Sequence, residues 1–254
     1  MNMIGKRIYI NNYMKKNKIT FVLTSCGRLD LLEKTLDSFF KFNTAEIERY
    51  IITEDSADPV VFEACKLLNK EKYDNKIEFI FNHTKLGQSR SIDAAYATID
   101  TEYIFHLEDD YEFYRSNFIE ISKDLLESRP EILQGWLQSK KDGQVNRICP
   151  KVFKTNKGTS FRFVMPSTFY TGRILNGERE AVINYYGFTY RPTLKRLKDY
   201  LELGKGGYTR LGLEHLVDYA YRDMGYRIVS LTERDDDGYV NHIGWNDRVK
   251  DHVH

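Results

Sequence analysis

Tyr103-Ile104-Phe105-His106-Leu107-Glu108-Asp109-Asp110 is an apolar run that ends abruptly in three consecutive carboxylates. A run of this kind reads as a strand buried inside a sheet. Its acids then emerge at the C-terminal end of the strand, the edge where open α/β sheets bind ligands. Three adjacent carboxylates repel one another unless a cation neutralises them. A divalent ion with hard oxygen ligands, itself holding a diphosphate, accounts for the cluster economically. An acidic strand-to-loop turn facing water is the alternative.

Outward from this run, the first half of the chain alternates strands with helices. Residues 19–24 (ITFVLT), 50–53 and 77–81 read as further strands, with the acid-bearing run as the fourth. A helix is expected to start near Asp30, with Glu33 completing a capping box and Leu32, Leu36, Phe39 and Phe40 at helical spacing. Asp58-Pro59 supplies an N-cap and a first-turn proline for a helix to about residue 68. A loop with Gly87 leads to a third helix carrying Ile92, Ala95, Tyr96 and Ile99. The pattern predicts an α/β fold with right-handed crossovers and a mostly parallel central sheet flanked by helices. The polar residues gather in the loops after the strands, which places a ligand site along one edge.

The second half is less regular. Helices are expected at 118–128, 192–203 and 213–224, and strands at 132–138 and 226–231. Residues 140–162 read as connecting hairpins, and 204–207 (GKGG) as a flexible linker. Asp235-Asp236-Asp237 before Gly238 reads as a solvated turn, and Trp136 as core.

Composition sets the outer bounds. The 254 residues suit one large α/β domain, and a net charge of +1 argues for neither nucleic acid nor a membrane surface as partner. Cys26, Cys65 and Cys149 are odd in number and far apart, so no disulfide framework or zinc knuckle is suggested and a reducing compartment is the default. No signal peptide and no membrane span are evident, so a cytoplasmic location is expected, with any membrane association peripheral. The 18 tyrosines can line a polar pocket as well as a core, which is compatible with sugar binding.

Four segments carry a resemblance: FVLTSCGRLDLLEKTLDSF at 21–39, YIITEDS at 50–56, NHTKLGQSRSIDA at 82–94, and LEDD at 107–110. In order and spacing they resemble the GT-A-fold glycosyltransferases of the family 2 type. Three later segments extend the likeness to about 19–246: GFTYRPTLKRLKDY from Gly187, Leu213-Glu214-His215 ahead of Gly225-Tyr226-Arg227-Ile228, and Asn241-His242-Ile243-Gly244-Trp245. Two departures stand out. Ser89-Arg90-Ser91 replaces the usual Ala-Arg-Asn, and Glu108 occupies the first acid position of the family's DxD element.

The resemblance implies a GT-A, Rossmann-like fold. Residues 1–18 would be an N-terminal extension, and 19–254 a single domain with a nucleotide-sugar half at 19–112 and an acceptor half at 113–254. It implies a metal-dependent transferase moving a sugar from a nucleotide-sugar donor, a UDP-sugar in the first instance, to a hydroxyl on a glycan, protein or small molecule, with inversion. Asp110 would ligate Mn²⁺ or Mg²⁺, and His242 would complete the sphere. Asp109 would bind the metal through water or contact the ribose or donor sugar, and Glu108 would sit on the ribose or orient its neighbours. Asp55 would accept from the base or ribose, while Thr24 and Arg28 would lie near the nucleotide. Arg90 would pair with the diphosphate or hold the acid cluster. Glu214 would be the general base, with His215 as the alternative at that position. Tyr239 and Trp245 would stack on sugar rings.

Residue by residue, plainer roles compete with these. Asp55 suits a turn or cap, Arg28 a partner for Asp30, Arg90 a structural salt bridge, Glu214 a first-turn helix acid and His242 a loop histidine. Three other functions compete for the whole chain. A sugar-nucleotide nucleotidyltransferase needs a glycine-rich first loop, where Thr24 to Arg28 has one glycine. A non-catalytic nucleotide- or carbohydrate-binding module would keep binding without turnover. A phospho-receiver domain is shorter than this chain and carries its acids elsewhere.

Overall fold

The computed structural model describes residues 14–142, 146–175 and 178–244. Its centre is a five-stranded sheet in the order β11-β4-β1-β2-β3. These strands are β1 (Lys15–Ser25), β2 (Arg49–Glu54), β3 (Ile77–Phe81), β4 (Thr101–Glu108) and β11 (Thr193–Arg196). β1 pairs in parallel with β2 and β4, and β2 with β3, so the four strands end on one edge. Thr24 lies between Thr53 and Glu108 in that register. Only β11 runs antiparallel, closing the β4 side.

Helices cover both faces, and alternate residues of each strand serve opposite faces. Phe21, Leu23, Phe105 and Leu107 pack with Leu32, Leu36 and Phe39 of α1 (Leu29–Phe42) and with Phe118 and Leu125 of α4 (Phe118–Ser128). Phe39 is central, its ring 4.5 Å from Phe21, 5.6 Å from Phe113 and 5.7 Å from Phe105. Val22, Ile51 and Ile104 pack on the other face with Ile92, Ala95 and Tyr96 of α3 (Gln88–Tyr96) and with a tyrosine-rich layer from the second half. α2 (Pro59–Lys72) begins as predicted, the Asp58 carboxylate accepting from the Val60 N–H at 2.9 Å, and runs one turn further than expected.

Four expectations need correction. α1 starts at Leu29, near Asp30 as expected, but no capping box forms: Arg28 holds the cap position and its side chain goes to the acids after β4. The helix expected over 192–203 divides into β11 and the short α5 (Leu197–Glu202). Thr193 to Arg196 are all buried and complete the hydrogen bonding of β4, which overrides their local preference. Residues 204–207 are not a free linker. Gly204 and Gly206 take positive φ, and Gly207 starts α6 (Gly207–Leu211), where a Cβ would run into Asp93 and Tyr200. An antiparallel ribbon, β9 (Ser167–Leu175) with β10 (Glu178–Tyr185), was not anticipated.

The rest of the second half packs around this frame. β6 (Ile132–Trp136), β12 (Arg227–Ser230), β8 (Ser160–Phe163) and β7 (Phe153–Lys154) form a second sheet in that order. Trp136 is core as expected, donating to the Gly187 carbonyl at 2.8 Å. α7 (Glu214–Asp223) follows α6, and β13 (Val240–His242) pairs with β5 (Tyr111–Phe113), directly after the acids. Asp235 to Asp237 form an exposed bend, with Asp235 reaching Arg162 at 2.9 Å.

Candidate active site

Thr35 of α1 fixes the turn carrying the acids. Its hydroxyl donates to the Asp109 carbonyl at 2.8 Å and accepts from the Tyr111 N–H at 3.1 Å. Pairing of β5 with β13 then sets His242 opposite Tyr111. The Ile243 N–H donates to the Asp110 carbonyl at 2.8 Å, and His242 Nε2 lies 3.3 Å from Asp110 Oδ2. Gly244 makes the approach possible, since a Cβ there would overlap the Asp110 carboxylate. Two residues more than a hundred positions apart are thereby brought into one site.

The three acids have different surroundings. Asp109 has no exposed surface; it accepts from Ser25 Oγ at 3.0 Å, from Arg28 Nε at 3.3 Å and from Arg28 Nη2. Burial pushes its carboxyl up to about 6, even against the pull of Arg28. Asp109 is therefore an anchor for Arg28 inside the site. Asp110 accepts from Arg28 Nη1 at 2.8 Å. Burial works to raise its pKa, but His242 and Arg28 outweigh that and hold it below the usual range. Glu108 accepts from Gln88 Nε2 at 2.6 Å, and burial, Asp110 and Glu214 raise its pKa.

Asp110 Oδ1 is buried with no hydrogen-bond partner among the described residues, and Oδ2 faces His242. One carboxylate and one imidazole fit an ion that draws the rest of its sphere from phosphate oxygens and water. Among the described residues, no group of three or more His, Cys, Asp and Glu stands ready to hold a metal unaided. The residues thus fit a cation shared with a substrate rather than a protein-only cage. Arg28 supplies the positive charge in the structure itself.

The loops after β2 and β3 are tied down by acids. Asp55 accepts from Asn82 Nδ2 and the Leu86 N–H through Oδ1, and from the Gly87 N–H through Oδ2, each at 2.8 Å. With both oxygens engaged, Asp55 is first a clamp on the 82–87 loop. Glu54 does the same for the first loop, accepting from the N–H groups of Gly27 at 2.9 Å and Ser56 at 2.8 Å. Thr24 is buried at the end of β1. Arg90 is exposed on the first turn of α3, and the side chain gripping the acids is Arg28 instead.

Glu214 and His215 part company. Glu214 accepts from Tyr185 Oη at 2.9 Å and acts electrostatically on Glu108, whereas His215 faces the β9–β10 ribbon, 4.0 Å from Glu180. Burial raises the Glu214 carboxyl, with Arg191, Tyr185 and Lys195 opposing. Tyr239 has Arg115 over its ring at 4.7 Å. Trp245 lies outside the described residues.

Gln88, Tyr185, Arg191 and Lys195 were missed as members of this neighbourhood. Arg191 donates to Gln138 Oε1 at 3.1 Å and feels Tyr111, Glu214 and Glu108. The signal for it and Lys195 was present in GFTYRPTLKRLKDY, where Pro192 opens an extended segment rather than a helix.

The sequence profile of glycosyl transferase family 2 matches residues 20–190. No curated protein sequence matches the chain. Among solved structures, mannosyltransferase PcManGT from Pyrobaculum calidifontis, in complex with GDP-Man and Mn²⁺, is similar with a TM-score of 0.57 at 12% identity. S. aureus TarS 1-349 gives 0.56 at 13%, and GalNAc-T7 with UDP, GalNAc and Mn²⁺ gives 0.58 at 12%. Each match covers 89% of this chain but only 61%, 60% and 44% of those chains respectively. The profile spans well over half of the chain and the parallel sheet with its edge site has the GT-A form, so the protein belongs to glycosyl transferase family 2.

Proposed function

We propose that the enzyme transfers a sugar from a nucleoside diphosphate donor, a UDP-sugar, to a hydroxyl acceptor in one inverting displacement. The observation that carries this is the meeting of Asp110 and His242 at the C-terminal edge of the sheet, with Glu214 of α7 acting on the adjacent Glu108. Residues 19–112 would hold the nucleotide and 113–254 present the acceptor, as one domain. The structurally similar mannosyltransferase and GalNAc-T7 are complexed with GDP-Man or UDP together with Mn²⁺, which supports a nucleotide-linked donor and a divalent ion.

Asp110 and His242 would hold Mn²⁺ or Mg²⁺ against the donor phosphates. Bound there, the ion would neutralise the charge that builds on the departing diphosphate. Asp109 keeps Arg28 at the edge, where its guanidinium can turn to a phosphate oxygen. Asp55 shapes the nucleoside pocket through the 82–87 loop, and Thr24 lines its floor. Glu108, with Gln88, faces the ribose, and Arg90 is available to the diphosphate from solvent. Glu214 would take the acceptor proton as the acceptor oxygen bonds to the anomeric carbon and the bond to the diphosphate oxygen breaks. Tyr185 fixes the orientation of that carboxylate.

A turnover screen of nucleotide sugars with Mn²⁺, repeated in EDTA, tests the proposal. Release of one nucleoside diphosphate that stops with EDTA supports it. Turnover unaffected by EDTA would refute the metal assignment, and no turnover of any donor, with UDP still bound, would favour a binding module.

A further inference from the structure

β11 carries two buried cations: Arg196 is paired with Asp199 at 2.6 Å, whereas Lys195 makes no such pair among the described residues. Lys195 is 3% exposed, and its Nζ has no hydrogen-bond partner among the described residues. The ammonium lies 4.9 Å from the ring centroid of Phe188 and 5.5 Å from those of Tyr190 and Tyr208. These rings offer it a quadrupole but no compensating charge. An ammonium in such a place is costly unless a carboxylate compensates it through the low-dielectric interior.

Packing brings Glu214 near, since Tyr185 Oη touches both the Glu214 carboxylate, at 2.9 Å, and the carbonyl of Phe188, the residue whose ring the ammonium faces, and the sheet register brings Glu108. Thr193 pairs with His106 and Lys195 with Ile104, so Lys195 shares a face with Ile104, His106 and Glu108. That face leads to the C-terminal edge of β4. The acids that act on the ammonium are Glu214 first and Glu108 second. His106, buried beside Tyr96 and Tyr190 with neither ring nitrogen hydrogen-bonded among the described residues, feels the lysine as well. No substrate contact is needed for Lys195 to act on Glu214.

We infer that Lys195 is a positioning residue: the buried counter-charge that keeps Glu214 ionised and ready to accept the acceptor's proton. This rests on Glu214 being the base. Around Glu214, Arg191 on the segment before β11, Tyr185 on β10 and Lys195 on β11 favour its charged form, while Asp218 on α7 opposes it. Glu108 on β4 also faces it. Burial brings the Lys195 ammonium down to about 7, so it carries its charge over the acidic range in which Glu214 must lose a proton.

The test is Lys195→Met in the full chain, with the Glu214 carboxylate titrated by ¹³C NMR and assigned through Glu214→Gln. The expected result is an upward move of the Glu214 midpoint by about one unit, which lowers the ionised fraction below the midpoint about tenfold. The acid limb of the kcat/KM profile should move with it, and Lys195→Arg should bring both back toward wild type. Methionine replaces an unpartnered ammonium by an apolar chain of similar size, so the variant should fold; Lys195→Gln serves if it does not. An unmoved Glu214 midpoint overturns the inference even if activity falls. Full activity in Glu214→Gln overturns the base assignment, a separate failure that the NMR midpoint does not share.

Discussion

At the C-terminal end of β4, Asp109 is wholly buried yet receives Arg28 and Ser25, whereas on the sheet face that β4 shares with β11 His106 and Lys195 are buried with no hydrogen-bond partner among the described residues. Both places hold charge away from water. The edge does so with short charge-assisted hydrogen bonds, which fix geometry. The aromatic layer does so through space, which fixes no geometry but leaves protonation open to tuning. In the proposed reaction, atoms must be positioned within tenths of an ångström at the edge that would meet the diphosphate, and beside the acceptor a proton would change hands.

The sharpest way to break the contrast is at the edge. Asp110→Ala should lower donor turnover by about 10³-fold or more, on the scale of removing a site's main electrostatic element. Steady-state nucleotide release with Mn²⁺ measures it, and near-wild-type turnover would remove Asp110 from the site. Glu214→Gln should lower turnover by about 10²- to 10⁴-fold while leaving UDP affinity by calorimetry unchanged. Weaker UDP binding with intact turnover would move this residue to the donor side.

Arg28→Met strands the buried Asp109 charge and should cost about 3–5 kcal/mol of stability, read as a denaturant midpoint shift. A loss within error would mean that the edge does not depend on its pairing. His242→Ala should weaken Mn²⁺ binding in the presence of UDP by about tenfold, a smaller effect because the phosphates and Asp110 remain. An unchanged Mn²⁺ titration would exclude the imidazole as a ligand.

Lys195 gives the most discriminating effect, because its sign is opposite to that of Arg28. Its folded pKa of about 7 lies below the ordinary 10.5, so between these values the unfolded chain binds the extra proton. Stability attributable to this residue is therefore lowest below pH 7 and rises toward pH 10.5. Lys195→Met should be more stable than wild type at pH 7, by up to a few kcal/mol at most, and the gain should fade toward pH 10. Thermal melts across that range measure it. A destabilised variant with no pH trend would show that the layer pairs its charge as the edge does.

Much of the edge was legible in the chain. The four strands, their helices and the acids after β4 follow from runs of apolar residues interrupted by loop residues, which is local information. The candidate metal pair, Asp110 with His242, was also named from sequence, although only the β5–β13 pairing shows how they meet. The second half was harder to read because its strands are short and find partners far away. Thr193 to Arg196 read as a helix until β4 is present to pair with them, and the β9–β10 ribbon gives little signal before it is closed.

The sequence by itself determined a parallel α/β sheet with acids along one edge, since strand burial and loop polarity are written into consecutive residues. Tertiary structure alone decided which charge meets which. It gave Arg28 rather than Arg90 to the acids, Glu214 rather than His215 to the cluster, and set Lys195 among three aromatic rings. The physical reason is that burial and side-chain direction, which set the energy of a charge, exist only once distant segments have packed.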